Sequence, residues 1–167
     1  MSFFKKIFGK KNIISEDEKF DINIPVENPE LIDGMNLFIQ DKSENNLTKF
    51  INGLLKAKFL VLSYNDEMEV EQDGKNTVIK QNSKLKFLNC FNEDGEAFLP
   101  LFTDWKEVNV WLKEPDKNIG GFVMDTFEAF EFVKLGEDYN GIVINPGSKP
   151  WTMNNEQVNN FLEDFKK

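Results

Sequence analysis

Histidine and arginine are absent from this sequence of 167 residues, and cysteine occurs once. Each absence removes a chemistry. Without histidine there is no Ser–His or Cys–His nucleophile pair, no HExxH zinc site and no imidazole to move protons near neutral pH. Without arginine there is no bidentate guanidinium clamp for phosphate or carboxylate. The lone Cys90 cannot form an intrachain disulfide, which fits a reducing cytoplasm. Within KFLNCF, with no base or cation cluster beside it, it reads as a buried and inert thiol. No apolar run approaches the ~18 residues of a membrane span, and the basic start lacks the apolar region of a secretory signal. Position 2 is serine rather than glycine, so no myristoylation is signalled. The expected location is the cytoplasm.

What remains is acidic and rich in phenylalanine. Seventeen aromatic residues are Phe against three Trp and two Tyr, so the core is expected to pack by ring shape with few buried polar handles. The net charge of −9 and a pI near 4.7 argue against nucleic acid, whose phosphates need clustered cations. The charge is uneven. Lys5, Lys6, Lys10 and Lys11 fall in the first eleven residues, which leaves 16 lysines against 29 acidic residues on the rest. A cationic tail therefore precedes an anionic body, and a protein partner with a basic surface is the expected complement.

Residues 1–25 read as that tail and residues 26–167 as one domain. Asn28-Pro29 reads as a helix N-cap followed by proline at the first helical position, with Leu31, Met35, Phe38 and Ile39 on one face and Gly34 weakening the helix. From Glu44 to about Ala57, Leu47, Phe50, Ile51, Leu54 and Leu55 form an amphipathic stripe. Lys58 to Tyr64 reads as a buried strand, and Met68 to Gln72 with Lys75 to Lys80 as a hairpin turning at Asp73-Gly74. Leu85 to Phe91 and Ala97 to Phe102 read as further strands, with Pro100 marking a strand end or edge. Asp104 and Glu107, Asp125 and Glu128, and Asn154 and Gln157 have capping-box spacing ahead of apolar stripes, the first of them Trp105, Val108, Trp111 and Leu112. Gly141 to Asn145 is a β-branched strand stopped by Pro146-Gly147. Helices before and after the strands predict an α+β or α/β domain with a mixed sheet packed by helices.

No pattern demands a cofactor, a metal or a catalytic residue. Glu67, Glu69 and Glu71 alternate with Met68 and Val70, the spacing of a solvated strand face. Glu93-Asp94-Gly95 is turn chemistry, and Gly120-Gly121 lacks the spacing of a phosphate loop. The tail is different in kind: Phe3, Phe4, Ile7 and Phe8 share one helical face opposite Lys5 and Lys6. That is the pattern of a short interfacial anchor giving weak, reversible contact with an anionic membrane. A solubilising leader, or a strip docked on the domain's own body, would carry the same residues.

Two segments carry a resemblance. FLPLFTDWKEVNVW (Phe98 to Trp111) and YNGIVINP (Tyr139 to Pro146) hold a Pro-x-Phe-Thr strand end and a Gly-Ile-Val-x-Asn-Pro strand. In these the chain resembles the amino-terminal domain of the SseB-like family, named after enhanced serine sensitivity, over roughly Asn45 to Phe165. The resemblance implies a compact α/β unit and brings no established catalytic residue. Its signature positions are Pro100, Phe102, Thr103, Asn145 and Pro146, which read as scaffold or as the lining of a pocket. Two functional readings follow. One is a non-enzymatic cytoplasmic interaction or accessory module, localised by its tail to the inner face of the membrane or to a partner. The other is a small-ligand-binding or carboxylate-based enzymatic domain built where Phe102-Thr103 and Asn145-Pro146 converge.

Overall fold

The computed structural model describes residues 26–64, 70–73, 76–79, 86–113, 119–136 and 138–165. The tail residues Phe3, Phe4, Lys5, Lys6, Ile7 and Phe8 lie outside these, as do Glu67, Glu69, Gly74 and Lys75.

Two helices come first, α1 (Pro29–Gln40) and α2 (Glu44–Lys56). Their contact is set by two glycines. A Cβ on Gly34 would sit 2.8 Å from the Phe50 Cα, and one on Gly53 would sit 2.7 Å from the Leu31 Cα. Each glycine thus receives the backbone of the opposite helix. Gly34 was expected to weaken α1 through its poor helix propensity, but it is also what lets the two helices approach. Asn46, buried at the start of α2, donates to the carbonyls of Leu37 and Asp41 at 3.3 and 3.0 Å and so satisfies the end of α1. Ile39, assigned above to the apolar face, is 49% exposed. The stripe of α1 is narrower than its spacing suggests, because Gly34 occupies part of the contact.

Strand β1 (Lys58–Tyr64) is the axis of the fold. It pairs along its whole length with the antiparallel strand β7 (Ile119–Asp125), from Lys58↔Asp125 to Tyr64↔Ile119. Its other edge meets the short strand β4 (Lys86–Phe87) at one end. Toward the other end it is bridged to Phe102, with Leu60 and Phe102 exchanging N–H···O bonds of 2.9 and 3.0 Å. Phe102 follows β6 (Ala97–Leu101), which runs parallel to β8 (Gly141–Ile144) and antiparallel to β5 (Cys90–Phe91). Beyond β8 lies β9 (Trp151–Asn154), antiparallel to it. The hairpin β2 (Val70–Asp73) and β3 (Asn76–Ile79) pairs by itself. Its register pairs Asp73 with Asn76, so Asp73 is a strand residue and not the first turn residue expected above.

Both faces of β1 are covered, which is why Phe59 to Leu62 is an unbroken apolar run rather than an alternating one. Phe59 and Val61 join the larger core, with Leu31, Phe50, Leu54, Phe130, Val133, Phe161 and Leu162 from α1, α2, α4 (Thr126–Leu135) and α5 (Asn155–Phe165). Leu60 and Leu62 join a smaller one with Leu88, Phe102 and Val108, the last from the short helix α3 (Trp105–Trp111). Four helices, a mixed β layer and one short helix therefore stack into an α+β domain. Phenylalanine packs the larger core edge to face, as in Phe87–Phe132 and Phe130–Phe161 with centroids 4.8 and 5.0 Å apart.

The structure departs from the sequence pattern in several places. Leu85 to Phe91 is not one strand: β4 pairs with β1, and the chain then crosses so that β5 pairs with β6. Leu88, whose N–H reaches the Leu62 carbonyl, is the crossing point. Strands β7 and β9 had no strand signal, the first because Gly120-Gly121 depresses β-propensity and the second because it directly abuts α5. Of the three capping pairs, two close reciprocally. Asp125 and Glu128 exchange bonds of 3.0 and 2.8 Å, and Asn154 and Gln157 bonds of 3.0 and 2.9 Å. At α3, Asp104 accepts from the Glu107 N–H at 2.9 Å, but the Glu107 carboxylate accepts from the Ser148 hydroxyl at 2.5 Å.

An open helical position gains up to ~1 kcal/mol when glycine becomes alanine. Gly34→Ala and Gly53→Ala are expected instead to lower stability by about 1–3 kcal/mol each, the range for an overpacked contact, in urea unfolding. A gain in either variant would show that the helices can part without cost.

Candidate functional site

The signature residues come together at the seam between β1 and β6. Residues 97 and 101 of β6 face β8, since the Ala97 and Leu101 carbonyls accept from the N–H groups of Asn140 and Asn145 at 2.7 and 2.9 Å. Phe98 and Phe102 face the other way, toward Cys90 and Leu60. Pro100 lies between those two on a side where β5 has already ended, so its missing N–H forfeits no ladder bond. It is next to last in β6 and locally unpaired on that side, as its strand-end signal predicts, although it is buried within the domain.

Phe102 is fully buried, with its ring 5.4 Å from that of Trp111. At Thr103 the strand ends, and Asn145 meets it across the seam with φ of +51°. Asn145 Oδ1 accepts from the Thr103 N–H at 3.0 Å, and Asn145 Nδ2 donates to Thr103 Oγ1 at 2.9 Å. The backbone N–H fixes the sense of the amide, because only the oxygen can face it. The single hydroxyl hydrogen of Thr103 is left to Asp104 Oδ2 or Asn145 Oδ1, each 3.3 Å away. Pro146-Gly147-Ser148 then folds over α3. A Cβ on Gly147 would lie 2.9 Å from the Trp111 Cα, and Ser148 ties to Glu107.

A third member was missed by the sequence reading. Asn28 makes no side-chain cap on α1. Its Nδ2 donates to the carbonyls of Lys58 and Thr103, each at 2.7 Å, and its Oδ1 accepts from the Lys58 N–H at 2.9 Å. The side chain thus continues the β1 ladder beyond the Leu60–Phe102 bridge in place of a strand. Nothing local distinguishes this from a cap, because Asn before Pro suits both.

Chemically, the cluster is a closed set of hydrogen bonds among amide, hydroxyl and backbone groups, with the Asp104 carboxylate at its margin. Thr103 has no exposed surface, and Asn28 and Asn145 are 7% and 6% exposed. The acidic turn after β5 is likewise satisfied locally. Asn92 Oδ1 accepts from the N–H groups of Asp94 and Glu96, and Asn92 Nδ2 donates to the Glu96 carboxylate at 2.8 Å. Cys90 is half-buried rather than buried, and burial raises its thiol pKa, which lowers its thiolate fraction. Among the described residues no three His, Cys, Asp or Glu side chains gather where they could hold a metal ion. Among them also, no helix is long and apolar enough to cross a membrane.

Two measurements probe this region. If Asn28 were a cap, Asn28→Asp would be neutral, since aspartate caps as well as asparagine. As a ladder substitute it loses both donors and sets a carboxylate against two carbonyls, so Asn28→Asp should cost at least as much as Asn28→Ala, about 2–4 kcal/mol in urea unfolding. The second concerns Tyr139, which opens the β8 segment. Burial, and then the charge of Asp138, push its phenol pKa from 10.0 up to about 12. The folded value lies above the unfolded one, so the associated stability is complete below pH 10 and is lost as pH rises toward 12. In Tyr64→Phe, which leaves Tyr139 as the sole tyrosine, phenolate absorbance should appear with a midpoint near 12. A midpoint near 10 would mean that the ring is solvated.

Comparison with curated proteins and with solved structures gives no match. A family model does match, that of the SseB protein N-terminal domain, over residues 35–160. The match runs from the middle of α1 into α5 and takes in Pro100, Phe102, Thr103, Asn145 and Pro146. Since it covers 126 of the 167 residues, the chain belongs to the SseB N-terminal domain family.

Proposed function

We propose that this domain is a non-enzymatic cytoplasmic accessory module that binds a protein partner through its acidic surface. One observation carries the reading: the polar side chains of the signature residues Thr103 and Asn145 are turned inward on each other, and Asn28, outside the signature, closes the same seam. Side chains buried and bonded to each other in this way leave little there for a substrate to pair with. The missing histidine and arginine and the net charge of −9 add to it, the first by removing common catalytic groups and the second by favouring a basic partner.

The amino-terminal residues Phe3, Phe4, Lys5, Lys6, Ile7 and Phe8 add a localising contact. Burial of their apolar side chains, at ~1.5–3 kcal/mol each if complete, and ~1 kcal/mol per lysine over anionic lipid are offset by the ordering of the segment. The contact is weak and reversible. It brings the domain to the inner face of a membrane without fixing it there.

In-cell crosslinking followed by affinity recovery should yield a specific partner with a basic surface. That complex should weaken about tenfold or more between low and physiological salt. Recovery of no specific partner would overturn the interaction reading. A metabolite that raises the melting temperature of the wild type but not of Thr103→Val would favour the ligand-binding alternative. For the tail, flotation with anionic liposomes should recover the whole chain and lose the chain lacking residues 1 to 11. Equal recovery of the two would remove the membrane contact.

A further inference from the structure

Among the described residues, strand β7 leaves one edge unpaired from Ile119 to Val123. The even-numbered residues of β1 point away from it: Lys58 bonds Asn28, Leu60 bonds Phe102, and the Leu62 carbonyl accepts from Leu88. The antiparallel ladder then makes Phe59–Met124, Val61–Phe122 and Ser63–Gly120 the hydrogen-bonded pairs. The N–H and C=O groups of Ile119, Gly121 and Val123 are therefore directed outward, while the Asp125 N–H is taken by Glu128. Among the described residues β7 pairs with β1 alone.

Natural sheets blunt such edges with lysine, proline or short length. The other edge strands here follow that rule. β4 and β5 have two residues each, and β9 has four, directly after Lys149-Pro150. β7 has seven residues, IGGFVMD, with no lysine or proline. Gly120 and Gly121 also present no side chain to an approaching backbone. Beside Gly121 stands Trp105, whose ring carbon Cη2 lies 3.0 Å from where a Gly121 Cβ would be. Trp105 is nevertheless 46% exposed, a large apolar face left uncovered on the flank of an open edge.

Charge selects the occupant. Asp125 ends the strand, and Asp104 and Glu107 flank Trp105, with Lys106 as the cation on that turn. A second copy would set −9 against −9. We propose that the outer edge of β7, with Trp105 as its anchor, is a β-augmentation site for an extended, lysine- or arginine-bearing segment of a partner protein. The site rests on the interaction reading above and gives it a surface. Backbone groups of the added strand pair with Ile119, Gly121 and Val123, and its side chains on the α3 side lie over the Trp105 ring, where a cation or an aromatic is favoured.

The test uses the isotope-labelled full chain and the synthetic peptide KVKVKVK. At saturation, amide exchange at Ile119, Gly121 and Val123 should slow about tenfold or more while Gly120, Phe122 and Met124 change little, and the Trp105 indole resonance should shift. The peptide KVKPKPK, in which two prolines remove strand donors from one edge and disfavour a regular ladder, and EVEVEVE should do neither. Trp105→Ala should weaken KVKVKVK about tenfold, and Gly121→Pro, which removes an outward N–H unused by β1, should abolish the slowing. If Gly121→Pro fails to fold, Trp105→Ala at its half-exposed position carries the test. Unchanged exchange with KVKVKVK overturns the proposal. So does full protection of those three amides before peptide is added, by the chain's own amino-terminal segment or, if it depends on concentration, by a second copy. Partners recovered equally by wild type and Trp105→Ala would sink the edge and leave the interaction reading standing.

Discussion

The Leu60–Phe102 bridge is the constraint on which the rest of the structure depends. Without it the strands other than the β2–β3 hairpin form two separate groups, β7-β1-β4 and β5-β6-β8-β9, with β1 and β6 left partly unpaired where they face each other. With it, one β layer spans the domain and offers a continuous face to α1, α2, α4 and α5. A single bridge contributes two backbone bonds, too few to hold a seam of this length against the loss of chain entropy. The seam is therefore extended by side chains. Asn28 prolongs it past Lys58, and Asn145 locks the chain just beyond Phe102.

In that arrangement the signature residues are parts of the scaffold. Pro100 is tolerated because β5 stops short of it, and Phe102 fills the smaller core from the bridge itself. Thr103 and Asn145 satisfy each other where two strands end side by side. Thr126 adds a similar tie elsewhere, donating its hydroxyl to the Leu54 carbonyl and so fastening α4 to the end of α2. The same few residues thus set strand order and helix placement together.

The parts that were legible in the sequence are those governed by local physics. β1 was readable from its continuous apolar run, α2 from its stripe, and the caps of α4 and α5 from residue types three apart. β6 and β8 were readable from the family segments. What escaped depends on partners distant in sequence. Asn28 reads as a cap because its true partners, Lys58 and Thr103, are 30 and 75 positions away. Gly34 reads as a helix breaker until Phe50 is placed against it. Gly120-Gly121 hides a strand because the compensating pairing comes entirely from β1, and the exposure of Trp105 depends on how α3 lies over that strand. The convergence of Thr103 and Asn145 was anticipated at the level of segments, while the mutual hydrogen bonds that close it were not.

The composition acquires a physical sense from this interior. The buried polar residues of the described domain are Asn28, Asn46, Ser63, Thr103, Thr126 and Asn145, and none of them ionises. Amides and hydroxyls satisfy backbone groups without the desolvation penalty that a buried charge carries. The seam therefore holds together without a salt bridge, and the ionisable side chains are left to the surface. Lys56 and Glu30, 2.8 Å apart and both largely exposed, illustrate how little such pairs need contribute. An interior built this way is insensitive to the sign and number of surface charges. The surface can then carry a strong negative excess without placing a charge in the core.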